Sequence, residues 1–186
     1  MPAEAMGDSY LTNPLEFIIS TLFGLYILAF MLRFLLGMVR ADFYNPVCQF
    51  LVRITNPVLV PLRRVIPSIG RLDTASVVLM LALEFVVTWI VVQIGPVAFT
   101  LPQIFVYSVV KLLGTLLWTW FFLIIAMVIL SWVGRGARHP VVPLVCQLTE
   151  PLLRPVRRVV PPIAGIDLSP LFVLIAIRFL LVLLGF

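Results

Sequence analysis

The chain has 186 residues, of which 62% are hydrophobic and 11% charged, with a net charge of +5 and a mean hydropathy of +1.18. So little polar side-chain material cannot cover the surface of a soluble globule, and the composition specifies an integral membrane protein.

Four stretches offer the roughly 20 mostly apolar residues that a helix needs to cross a bilayer. They are Phe17 to Val39, Thr74 to Ile94, about Leu112 to Val133, and Leu168 to Phe186. The start of the third is open, because Ile104 to Val110 is also apolar and Pro102 suits a helix's first turn. Nothing basic precedes the first stretch, which argues against a cleaved signal and for a retained helix.

Basic residues orient these spans. Of the 13 lysines and arginines, 10 lie after the first and third stretches: Arg40, Arg53, Arg63, Arg64 and Arg71, then Arg135, Arg138, Arg154, Arg157 and Arg158. The other side holds only Lys111, read as close to a helix end. The positive-inside rule therefore puts both connections in the cytoplasm and both termini outside, in the periplasm or extracellular space.

The two connections are copies of one another. Asn45 to Asp73 aligns without a gap on His139 to Asp167, an offset of 94 residues, with 12 of 29 positions identical. The pattern Thr55, Pro57, Leu59, Pro61, Arg63, Arg64, Val65, Pro67, Ile69, Asp73 is answered by Thr149, Pro151, Leu153, Pro155, Arg157, Arg158, Val159, Pro161, Ile163, Asp167. The expected architecture is all-α, with four transmembrane helices in two parallel two-helix repeats. Repeat one is 1–94 (span 17–39, loop 40–73, span 74–94), and repeat two is 95–186 (span about 112–133, loop 134–167, span 168–186).

Each connection reads as an amphipathic segment lying in the membrane interface. On a helix over residues 46–66, Gln49, Arg53, Asn56 and Arg63 or Arg64 share one side, largely opposite Val47, Phe50, Leu51, Ile54, Val58 and Leu62. Pro57 suits the first turn of a new helix capped by Thr55 or Asn56, and Pro61 removes a further donor, so a kinked element is expected. Arg63, Arg64, Arg157 and Arg158, with Arg53 and Arg154, are the candidate contacts to anionic lipid headgroups or to a membrane partner, which includes a second copy of the chain. Few aromatic residues are interleaved with them and no nucleic-acid recognition module is visible.

The doubled pattern Asn/Glu-Pro-x-Leu-x-Pro-x-Arg-Arg-x-Val/Ile-Pro-x-Ile, with a downstream Asp and an apolar helix on each side, resembles the YggT family of small bacterial and plastid membrane proteins. The resemblance covers nearly the whole chain. It implies for bacterial members a link to osmotic and potassium stress or to the cell-division neighbourhood, and for plastid relatives one to haem attachment or nucleoid distribution. It implies no catalytic residues.

Three ionisable residues fall inside apolar stretches: Arg33, Glu84 and Arg178. An unpaired charge at the bilayer centre costs about 2.5–3.5 kcal/mol, so pairing is expected. Glu84 and Arg178 occupy the same repeat position, and Arg33 offers a second partner, its own repeat equivalent being Met127. An intramembrane Arg33–Glu84–Arg178 cluster would clamp helices together or, alternatively, organise an ion path in a small oligomer. Ser20 and Gly24 present a small-residue face on the first helix.

Enzymatic chemistry has no visible basis. The single histidine, His139, aligns with Asn45 and reads as a turn cap, and Cys48 and Cys146 occupy non-equivalent positions as small apolar residues. No metal cluster, phosphate loop or nucleophile–base pair is readable, and no cofactor is expected. The expectation is a non-enzymatic inner-membrane scaffold or assembly factor, with an ion channel or ion-transport regulator as the alternative.

Overall fold

The computed structural model describes residues 3–70, 72–95, 98–133, 139–160 and 167–186, with side chains from residue 14 onward and without that of residue 133. Arg71, Arg135, Arg138, Pro161 and Ile163 lie outside the described residues, as do the 96–97, 134–138 and 161–166 backbones. Among the described residues six helices follow in order: α1 Ala3–Met38, α2 Pro46–Val65, α3 Thr74–Ile94, α4 Leu101–Val133, α5 Val141–Val159 and α6 Ser169–Leu183.

Three of these are long and apolar enough to cross a membrane: Pro14–Met38 within α1, Thr74–Ile94, and Leu101–Trp132 within α4. The four-span expectation, with two matched repeats, is overturned at α6. Its 15 residues reach about 22 Å at 1.5 Å per residue, against a hydrocarbon thickness of about 30 Å. The helix stops because Gly185 adopts φ +88°. Gly185 N–H donates to Val182 O at 3.1 Å and Phe186 N–H to Leu181 O at 2.9 Å, the paired bonds of a Schellman ending. Among the described residues the fold is an all-α bundle with three such helices.

The third span begins earlier than Leu112. Thr100 N–H and Oγ1 both lie within 2.9 Å of Gln103 Oε1, and Ile104 N–H reaches Thr100 O at 3.0 Å, so Thr100 opens a helix that has Pro102 in its first turn. The resulting α4 carries Lys111 ten residues inside its start.

The duplicated connections form one continuous helix each. Asn45 caps α2 by accepting from Val47 N–H at 3.0 Å, and the helix then runs through Pro57 and Pro61, as α5 runs through Pro151 and Pro155. The expected break at Pro57 is absent. All four prolines stand on the exposed side of their helix, while Leu51, Thr55 and Leu59, and Leu148, Thr149 and Leu153, are buried on the other. The lost N–H bonds thus fall away from the face that packing holds in line.

Packing joins α1 to α3 and α2, α3 to α4, and α4 to α5 and α6. One buried cluster unites α1, α2, α3 and α5 around Phe30, Leu51, Leu59, Met80 and Leu148. A smaller one unites α4, α5 and α6 around Ile124, Leu153, Ile177 and Leu181. Phe17, Leu22, Leu25, Phe122, Phe172 and Phe179 point outward, as expected of helices whose solvent is hydrocarbon.

Candidate functional site

The basic helices divide their arginines into two kinds. Arg63, near the end of α2, pairs with Asp73, which also caps α3 through Ser76 Oγ at 2.5 Å. Arg157 repeats the contact from α5, with Nε 2.8 Å from Asp167 Oδ2, and adds Glu150 at 2.7 Å. Asp167 accepts from Ser169 N–H at 2.9 Å and so starts α6. These links fasten each basic helix to the apolar helix that follows it.

Electrostatics agree with that geometry. Burial would raise the Asp73 carboxyl, but hydrogen bonds from Arg63 and Ser76 and the Arg63 charge outweigh it, leaving its pKa below the usual carboxylate value. The same opposition, with Ser169 and Arg157 as partners, depresses Asp167. Burial would lower Arg157, yet Asp167 and Glu150 hold its pKa above the ordinary value.

Arg53, Arg64, Arg154 and Arg158 are exposed and form no salt bridge among the described residues. Each basic helix therefore keeps two guanidinium groups available to a phosphate or carboxylate from outside the chain.

The three intramembrane residues do not come together. Arg33, 7% exposed, leaves α1 for α2, donating to Thr55 Oγ1 at 2.5 Å and Asn56 Oδ1 at 2.8 Å. Thr55 in turn donates to Leu51 O at 2.5 Å. The two residues read as helix caps are thus the acceptors that neutral hydrogen bonding offers a buried guanidinium. Arg178 is exposed on α6, donates to Phe186 O at 3.3 Å and stands 5.8 Å from the Trp118 ring centre. Glu84, 3% exposed at its side chain, pairs with Lys111 at 2.6 Å. The expected cluster fails because α4 starts a full three turns earlier than Leu112 and brings a lysine to the level of Glu84.

Lys111, Asp73 and Asp167 are the partners that sequence reasoning missed. The aspartates had a signal: each follows its arginine by ten residues in both copies. His139 Nδ1 accepts from Val141 N–H at a long 3.4 Å, the position Asn45 takes in α2. Asn45 also bridges the two connections, its Nδ2 donating to Pro140 O at 2.6 Å. Among the described residues no three His, Cys, Asp or Glu side chains are grouped to hold a metal.

The CCB3/YggT family profile matches residues 12–94 and again 106–186. A Vibrio alginolyticus protein, described as the uncharacterized protein in the proC 3′ region, is 44% identical over 93% of this chain and 94% of its own length. An uncharacterized protein of Pseudomonas aeruginosa is 42% identical over 87% of this chain and 83% of its own. The uncharacterized protein YggT of Escherichia coli K12 is 39% identical over 88% and 85%. No solved structure matches. The chain belongs to the CCB3/YggT family and is a helical, multi-pass protein of the bacterial inner membrane.

Proposed function

We propose that the protein is an inner-membrane scaffold that holds two basic helices, α2 and α5, on the anionic cytoplasmic surface and presents them to a membrane partner. The observation that carries this reading is the division of the arginines: one in each Arg-Arg pair is tied to an internal carboxylate, while Arg64 and Arg158, with Arg53 and Arg154, are exposed without one among the described residues. Internal fastening needs only Arg63 and Arg157. Four further guanidinium groups on the outward sides of two helices suit an external anionic surface, each worth about 1 kcal/mol beside anionic lipid. The basic bias of the two connections supports the cytoplasmic side. Survival of osmotic stress is the physiological readout this proposal carries.

The test replaces Arg53, Arg64, Arg154 and Arg158 by glutamine together, leaving Arg63 and Arg157 in place. The variant should insert normally, because its apolar helices are untouched, yet lose cross-linking to anionic lipid and survive an osmotic downshift poorly. Normal lipid cross-linking and normal survival at wild-type expression would end the scaffold reading. Ion flux through purified protein in liposomes separates it from the channel alternative, since a scaffold conducts none.

A further inference from the structure

Lys111 and Thr88 line a cavity of about 330 Å³ between α1, α3 and α4, in the half of the bundle away from α2 and α5. Its wall on α1 carries Glu16 and Ser20. Thr88 is 3% exposed and its Oγ1, like Ser169 Oγ, has no hydrogen-bond partner among the described residues, whereas Thr55, Ser108, Thr119 and Thr149 each donate to the carbonyl four residues back. A buried hydroxyl left unbonded is uncommon and points to a polar group that belongs beside it. Lys111 has three N–H donors, lies 2.6 Å from Glu84 Oε1, and has its side chain 31% exposed.

Ser20 also borders a second space. An apolar groove of about 590 Å³ runs between α1 and α4, from Ser20 to Leu32 on one wall and from Thr115 to Ala126 on the other. At 1.5 Å per residue the α1 wall is about 18 Å long. A Cβ placed at Gly24, midway down, would meet nothing within 4 Å, so the groove is open there. Both walls belong to helices long and apolar enough to span a membrane, which gives the groove sideways access to lipid.

A pocket holding both signs of charge at the head of an apolar trough has the polarity of one phospholipid. We propose that this is a binding site for a phospholipid with an ethanolamine head. Its phosphate oxygens accept from Lys111 Nζ and the Thr88 hydroxyl, its ammonium donates to Glu16, and one acyl chain lies in the groove past Gly24. The pairing of a cation with an acid in one cavity favours a zwitterionic head over an anionic one. A choline head carries no N–H to donate to Glu16. The site is separate from the arginines of α2 and α5.

Native mass spectrometry of delipidated protein mixed with phosphatidylethanolamine, phosphatidylglycerol or phosphatidylcholine tests the assignment. One phosphatidylethanolamine should be retained, about tenfold in preference to the other two, as one charge-assisted hydrogen bond provides. Glu16→Gln should abolish the preference, and Gly24→Phe should weaken retention of every lipid; both leave the Glu84–Lys111 pair intact. Equal retention of the three lipids, unchanged binding in both variants, or equal binding of glycerophosphoethanolamine without acyl chains would overturn the proposal.

Discussion

Arg63 and Asp73 form an ion pair that links the end of α2 to the start of α3, and Arg157 and Asp167 link α5 to the start of α6 at the same ten-residue spacing. Both carboxyls have depressed pKa values in the folded chain, so they stabilise the fold above the ordinary carboxylate value of about 3.9. That stabilisation is lost as the pH falls through the depressed folded values. Thermal stability in detergent should therefore fall on acidification below about pH 4. Asp73→Asn, which keeps a capping acceptor, should flatten part of the pH dependence and cost about 1 kcal/mol or less, because Arg63 is 41% exposed at its side chain. A melting profile with the same pH slope in Asp73→Asn and wild type would remove the pair from the account.

The Glu84–Lys111 pair makes a stronger demand. Removing one partner of a buried pair leaves the other uncompensated, so Lys111→Met should destabilise by about 3–5 kcal/mol. Adding Glu84→Leu should recover much of that loss, giving a non-additive double-mutant cycle. The cycle between Glu84→Gln and Arg178→Leu should instead be additive, since Arg178 is held by Phe186 O and the Trp118 ring. Unfolding of the four single and two double variants in denaturing detergent measures both cycles, and coupling to Arg178 alone would restore the partner expected from the repeat.

Hydropathy alone was enough to read α1 and α3, because an uninterrupted apolar run of spanning length has few other solutions. It left the start of α4 open, because Lys111 interrupts an apolar run that Ile104 to Val110 and Pro102 could carry further back; the Thr100–Gln103 cap is the local signal that fixes the earlier start. At α6 the apolar run continues to Phe186, but Gly185 ends the helix through backbone geometry that hydropathy does not register. The arginines of α2 and α5 were identified as a group, while their division into fastened and free members depended on contacts ten residues away. Thr55 has the chemistry of a cap, and a tertiary contact from Arg33 overrode that preference.

Arg33 distinguishes the two copies, since its equivalent is Met127. Thr55 serves a buried guanidinium, whereas Thr149 donates only to Val145 O and Cys146 O. Thr55→Val should cost about 1.5–3 kcal/mol by leaving a charged donor without its partner, and Thr149→Val about 1 kcal/mol or less. Equal losses in thermal stability would show that Arg33 finds another acceptor when Thr55 is gone.

The final prediction concerns sidedness. Crossings by α1, α3 and α4, the helices long and apolar enough to span, would bring the chain to one surface at α2 and at α5, and the positive-inside rule predicts that this surface is cytoplasmic. The native cysteines supply half of the test: Cys146 on α5 is exposed, while Cys48 is buried. Cys146 should be silent toward a membrane-impermeant maleimide in intact cells and react after permeabilisation. A cysteine introduced at exposed Ser68, beyond α2, should behave in the same way. One introduced at exposed Ala98, between α3 and α4, should react in intact cells when Cys146 is replaced by serine. Labelling of Cys146 or residue 68 before permeabilisation, with residue 98 protected, would invert the orientation, and the free arginines would then face away from the anionic cytoplasmic leaflet on which the scaffold reading depends.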